Sequence, residues 1–184
     1  MRLTLLLTLI AGFATPAFAQ DPGMPAPIAH SAEHDHLKAM AGKWKVAMTM
    51  HAPDGSTMKS EGTHVASLTM DGLGLIFDHQ SPMGPGKMIG HGFLTWIPGK
   101  QKFQSIWMDN MSHNGMATGW ATWDAAKKTM TEIMTGPGPD GTDMTFTIIT
   151  VAASPDTHTS TFMMKGPDGK EFPMMEMVYT RQKG

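Results

Sequence analysis

Turn-forming clusters interrupt this chain at short, regular intervals, and that spacing restricts the fold more than any other feature. Pro53-Asp54-Gly55, Asp71-Gly72, Pro98-Gly99, Ser154-Pro155-Asp156 and Gly166-Pro167-Asp168-Gly169 are five of them, and Gly136-Pro137-Gly138-Pro139-Asp140-Gly141 is the longest. Each joins a residue that presets a bend to one that tolerates positive φ or bonds its own backbone. The segments between them read as strands. Trp44, Val46, Met48 and Met50 alternate with Lys43, Lys45, Ala47, Thr49 and His51, the period-two pattern of a half-buried strand. Further strand-like runs fall at about 57–70, 73–81, 87–97, 102–109, 116–123, 128–135, 142–153, 158–165 and 171–181. Ten short strands with no βαβ alternation predict an all-β antiparallel fold, a barrel or a sandwich. Closure into a barrel is favoured, because it removes the unpaired edges that so many Thr- and Met-rich strands would expose.

The N-terminal region reads differently. Arg2 precedes an apolar stretch from Leu3 to Phe13, too short to span a bilayer, and Ala17-Phe18-Ala19 has the small-x-small pattern of a cleavage site. Residues 1–19 are therefore expected to be a secretory leader, which implies a periplasmic or secreted protein. Residues 20–30 hold three prolines and read as a flexible linker, and residues 31–184 are expected to form the barrel domain. Ser31 is placed to cap a short helix, with Glu33 and Asp35 in its first turn, Leu37 and Met40 on one face, and Gly42 as its stop.

Gly42-Lys43-Trp44 opens the first strand and Tyr179-Thr180-Arg181 closes the last. This pairing resembles the calycin arrangement of lipocalins and their relatives, in which a G-x-W motif meets a C-terminal arginine. The resemblance implies a cation–π stack of Arg181 on Trp44, worth about 0.5–2 kcal/mol. A narrower resemblance rests on the Met83-Gly84 to Gly90-x-Gly92 hairpin, on Trp107-Met108-Asp109-Asn110-Met111, and on Gly169-Lys170-Glu171 running into Met175-Glu176-Met177-Val178-Tyr179-Thr180-Arg181. These are similar to the bacterial family catalogued as domain of unknown function 1579, over about residues 33–182. Thr95-Trp96-Ile97 departs from it, standing where the family usually has Gly-Tyr-Asp. The resemblance implies a fold and no activity.

Composition narrows the chemistry. The chain has no cysteine, which removes disulfides, thiolate nucleophiles and Cys-based metal sites, and it contains no G-x-S-x-G elbow. Nothing in it points to catalysis. With 14 Lys+Arg against 16 Asp+Glu and no basic cluster, it lacks the electrostatic footprint of a nucleic-acid binder. The 20 Met and 9 His are the unusual feature. Thioether and imidazole together suit Cu(I), so copper binding or buffering is one expected function. Met108, Met111, His113 and Met116 form the first candidate metal set, across a strand connection. His79 and His91, with Met83 and Met88, form a second if a hairpin centred near Pro85 makes the two histidines cross-strand partners. His30, His34, His36 and Met40 form a third around the short helix.

An alternative is a carrier that takes a small apolar ligand into the barrel. If Arg181 turns inward to Trp44, alternation carries Met175 and Met177 inward beside Val46, Met48 and Met50 as the expected pocket lining, and puts Met174 outside with Glu176. A third reading treats exposed methionines as a reversible sink for oxidants.

Overall fold

The structure is a computed structural model that describes residues 23, 26–52, 54–111, 115–138, 141–166 and 169–183. The expected leader lies outside these residues, as does part of the linker.

One helix, α1 (Ala32–Met40), precedes ten strands among the described residues. They are β1 (Gly42–His51), β2 (Thr57–Thr69), β3 (Gly74–Met83), β4 (Gly86–Ile97) and β5 (Lys102–Asp109), then β6 (Ala117–Asp124), β7 (Thr129–Pro137), β8 (Asp143–Ser154), β9 (Thr157–Lys165) and β10 (Glu171–Arg181). Each strand pairs antiparallel with the next, and β10 returns to pair with β1, so the sheet closes into a barrel. Among the described residues, no helix is long and apolar enough to cross a membrane.

The helix stops where Gly42 suggested, with the glycine one residue past the C-cap. Ala41 is its C-cap, and Gly42 starts β1 at φ +135, a conformation that L side chains rarely adopt. At the other end, the Ser31 backbone N–H donates to His34 Nδ1 at 2.9 Å, so histidine fills the capping-box place usually held by Glu or Gln.

Helix α1 lies across the end of the barrel where β1, β3, β5, β7 and β9 begin. Leu37 is fully buried there with Leu75, Leu94, Trp96, Phe103 and Met130. Trp44 and Arg181 face each other in register, and the guanidinium carbon sits 4.0 Å from the indole centroid, as the G-x-W and C-terminal arginine resemblance implied. The arginine also donates to three carbonyls: Ala41 and Ala39, each at 2.7 Å, and Pro155 at 3.1 Å. Trp44 Nε1–H donates to the Met40 carbonyl at 3.0 Å. Helix, first strand and last strand are thereby tied at one point, and a Cβ on Gly42 would fall 2.5 Å from Arg181 Nη1. This end is closed.

Candidate functional site

From beneath that end toward the opposite one, the barrel encloses a cavity of about 360 Å³. Its outer rim comes from the strand ends remote from α1, at Met50, Met83, Asp109, Gly136 and Pro137. The space exists because inward positions of the neighbouring strands carry little side chain. Gly90 and Gly92 on β4, Ala117 and Gly119 on β6, and Gly136 on β7 all lie on the inner face. The Phe77 ring covers Gly92 and the Trp107 ring covers Gly90, and the two rings stack with centroids 6.1 Å apart. Aromatic rings laid against glycines line the wall without crossing the lumen.

Ten methionines line the cavity, among them Met40, Met130 and Met134. Of the expected pocket residues, Met50, Met175 and Met177 line it, whereas Val46 and Met48 face inward but are packed into the wall around Trp44 and Tyr179. Met174 also reaches the cavity, against expectation. A bulge between Pro173 and Met175 leaves Met174 without a partner on β9, and the added residue breaks the alternation that would have put it outside.

The candidate copper sets are dispersed. Pairing joins Met83 to Gly86, so the β3–β4 turn holds two residues and the register sets Asp78 against His91 and His79 against Gly90. The expected His79–His91 pairing is therefore off by one position. A one-residue change moves a side chain to the other face. His79 points into the barrel at 2% exposure, while His91 is outside and pairs with Asp78 at 2.5 Å. Met108 is on the outer face opposite His91, Met111 reaches the cavity rim, and Met116 is exposed just before β6. His113 lies outside the described residues. Near the helix, His30 and His34 rings stand 5.3 Å apart, His36 packs on Trp123 at 4.3 Å, and Met40 turns into the cavity. Among the described residues, no three His, Asp or Glu side chains converge as a metal-ligand set.

The polar lining was not anticipated. One inward register row runs around the barrel from the closed end to the mouth through Arg181, Trp44, His64, His79, Gly90 and Asp109. His64 and His79 each have a buried Nδ1 without a hydrogen-bond partner. Burial pushes the His64 pKa down to about 3, helped by His79 and His158. His158 stacks on Tyr179 at 4.2 Å, and burial together with the Arg181 charge lowers its pKa to about 4. Burial lowers His79 as well. These imidazoles are neutral at neutral pH.

Across β5 to β7, Ser105 Oγ–H donates to Glu132 Oε1 in a short hydrogen bond. A Cβ on Gly119 would lie 2.6 Å from that carboxylate oxygen and 2.7 Å from Ser105 Oγ, so glycine is what admits the pair. Burial raises the Glu132 pKa, and the Ser105 bond opposes the rise only in part. A signal for this residue was present: strict alternation along Met130, Glu132 and Met134 puts the glutamate on the methionine face and Ile133 outside. A separate open groove on the outer face, between β1 and β4, has lysine, glutamate and glutamine at its walls.

The family described as protein of unknown function (DUF1579) matches residues 29–181, nearly the whole described barrel. The chain belongs to that family. No curated protein sequence matches it. Among solved structures, it is similar to Rv2717c from M. tuberculosis, with a TM-score of 0.61, 11% identity, and coverage of 83% of this chain and 99% of that one. It is also similar to the S-type phycobiliprotein lyase CPES from Guillardia theta, with a TM-score of 0.57, 9% identity, and coverage of 84% and 94%. At these identities the likeness is one of fold, and this member of the family has a closed ten-strand antiparallel barrel.

Proposed function

We propose that this protein binds one small apolar molecule inside the barrel and acts as its carrier. The observation that supports this reading is the methionine- and aromatic-lined cavity of about 360 Å³, which opens at the end opposite α1. Concave, mainly apolar cavities with a few converging polar groups are the usual form of small-ligand sites. Flexible thioethers adapt to irregular ligand shapes. The barrel likeness to the phycobiliprotein lyase is compatible with such a role and adds no ligand identity.

The leader pattern of residues 1–19 supports a periplasmic or secreted location for this carrier, which fractionation of cells producing the full chain tests. Native mass spectrometry of freshly purified protein should show a one-to-one adduct, and Nile red, a neutral apolar dye, should bind with a blue shift. Met134→Trp, which fills the cavity with a larger ring, should abolish dye binding. A dye that binds neither protein, with no adduct in the native spectrum, would remove the carrier reading.

A further inference from the structure

The charges inside the barrel have one sign. Asp109 and Glu132 are the ionisable carboxyl groups of the cavity wall, and no lysine or arginine lines it among the described residues. Residues 112–114, 139–140 and 167–168, which are not described, contain no lysine or arginine in their sequence. Arg181, the guanidinium on the inward row, is engaged at the closed end by Trp44 and three carbonyls. The buried imidazoles do not replace it, because burial holds them neutral. A carboxylate head carried into this space would meet no cation, and an uncompensated buried ion costs several kcal/mol.

Glu132 is the opposite case. Its niche is built: Gly119 makes room for the carboxyl, and Ser105 supplies one hydrogen bond. An ionised carboxylate offers about four acceptor sites, so one hydroxyl leaves capacity for further donors. Phe77 and Trp107 also line the cavity, and rings of this kind attract cations.

Resting on the carrier reading, we infer that the cavity selects an apolar molecule bearing a basic nitrogen, with Glu132 as its counter-charge, and excludes carboxylates such as fatty acids. Burial favours the protonated form of Glu132, so an amine that enters as the free base can take its proton from that carboxyl. The ammonium–carboxylate pair then forms inside without any net charge having crossed the mouth. Asp109, held by Trp107 Nε1–H at 2.7 Å and the Met111 N–H at 2.8 Å, adds negative potential at the entrance.

The test uses three ligands with one body: 2-naphthylmethylamine, 2-naphthylmethanol and 2-naphthoate, titrated calorimetrically into the full barrel. The amine should bind at least tenfold tighter than the alcohol, and the carboxylate should be weakest. Glu132→Gln should bring the amine to the affinity of the alcohol, and Gly119→Ala, which displaces the carboxyl, should do the same. Asp78→Asn, which removes a carboxylate from the outer face, should leave the amine preference intact. If Glu132→Gln fails to fold, the order of the three ligands on the unaltered protein still decides. A carboxylate that binds as tightly as the amine overturns the inference, as does an amine preference that survives in Glu132→Gln. Alcohol binding without an amine preference would refute the inference and keep the carrier. Binding of none of the three would overturn both.

Discussion

At the end covered by α1, Leu37, Leu94, Trp96 and Phe103 fill the barrel with large, well-packed side chains, and Arg181 is engaged by Trp44, three nearby carbonyls and Asp156. Toward the other end the same ten strands present Gly90, Gly92, Gly119 and Gly136 inward, with methionine, histidine and one glutamate around an open volume. The first half leaves two buried groups, His34 Nε2 and Trp123 Nε1, without hydrogen-bond partners. The second buries His64 Nδ1 and His79 Nδ1 without partners and holds a carboxyl against a single hydroxyl. Unpaired buried polar groups oppose folding in both halves, and close apolar packing makes the closed half the larger source of stability; the pair His64 and His79 differs in bordering a volume that a ligand can enter.

That contrast fails if substitutions at the closed end prove harmless. Trp44→Ala and Leu37→Ala should each destabilise the barrel by about 2–5 kcal/mol, the range for emptying a well-packed site. For a domain of this size each kcal/mol moves the midpoint by roughly 2–4 °C, so calorimetry should record falls of about 5 °C or more. Equivalent losses from Met50→Ala at the mouth would break the comparison.

Acid should act mainly through the buried histidines. His64 and His158 have pKa values lowered to about 3 and about 4 by burial, below the ordinary 6.5 of an unfolded chain. Their contribution to stability is fully present above pH 6.5 and is lost as pH falls toward those folded values, because only the unfolded state takes up the proton. The slope is about 1.4 kcal/mol per pH unit for each histidine in that window. Glu132 acts in the reverse direction, since burial raises its folded pKa. Its contribution is present below the unfolded value and is lost as pH rises through the raised one. Urea titrations from pH 7 to pH 4.5 should show falling stability, less steep in His64→Phe; equal slopes in both proteins would remove His64 as the cause.

Smaller changes sharpen the same division. Arg181→Lys keeps the positive charge but loses the planar fork that serves Ala39, Ala41 and Pro155 together, and about 1–3 kcal/mol should go with it. Trp44 fluorescence should shift as the stacked cation leaves. Met50→Leu with Met175→Leu should cost under about 1.5 kcal/mol, as volume-conserving exchanges do, while changing Nile red affinity. If dye binding stays constant and the midpoint drops sharply, these methionines belong to the structural core.

The architecture was legible in sequence because local chemistry sets it. The turn clusters and the alternation of Trp44, Val46 and Met48 with charged and small residues place strands within a few residues of where they lie, and β5 and β10 coincide with their expected ranges. The Trp44–Arg181 contact was foreseen by resemblance and realised in register. The site was less legible. In a run such as Thr129 to Thr135, alternation groups Glu132 with Met130 and Met134, but residue type taken singly assigns Ile133 to the interior and Glu132 to water. The barrel reverses that, with Ile133 57% exposed and Glu132 lining the cavity. Likewise His64 is inside while its neighbour Val65 is outside.

What sequence alone determined is the strand count and the turns, since these follow from residue type and spacing along the chain, while the contact of Trp44 with Arg181 came from the resemblance. Tertiary structure decided which side chains meet. A two-residue turn between Met83 and Gly86 separated His79 from His91, and a bulge at Met174 turned a methionine into the cavity. Inward glycines on neighbouring strands combined to leave the volume that Glu132 faces. Strand side chains have a period of two, so a single residue of turn or bulge reverses the face of everything beyond it. That parity is fixed by pairing between strands, and composition does not carry it.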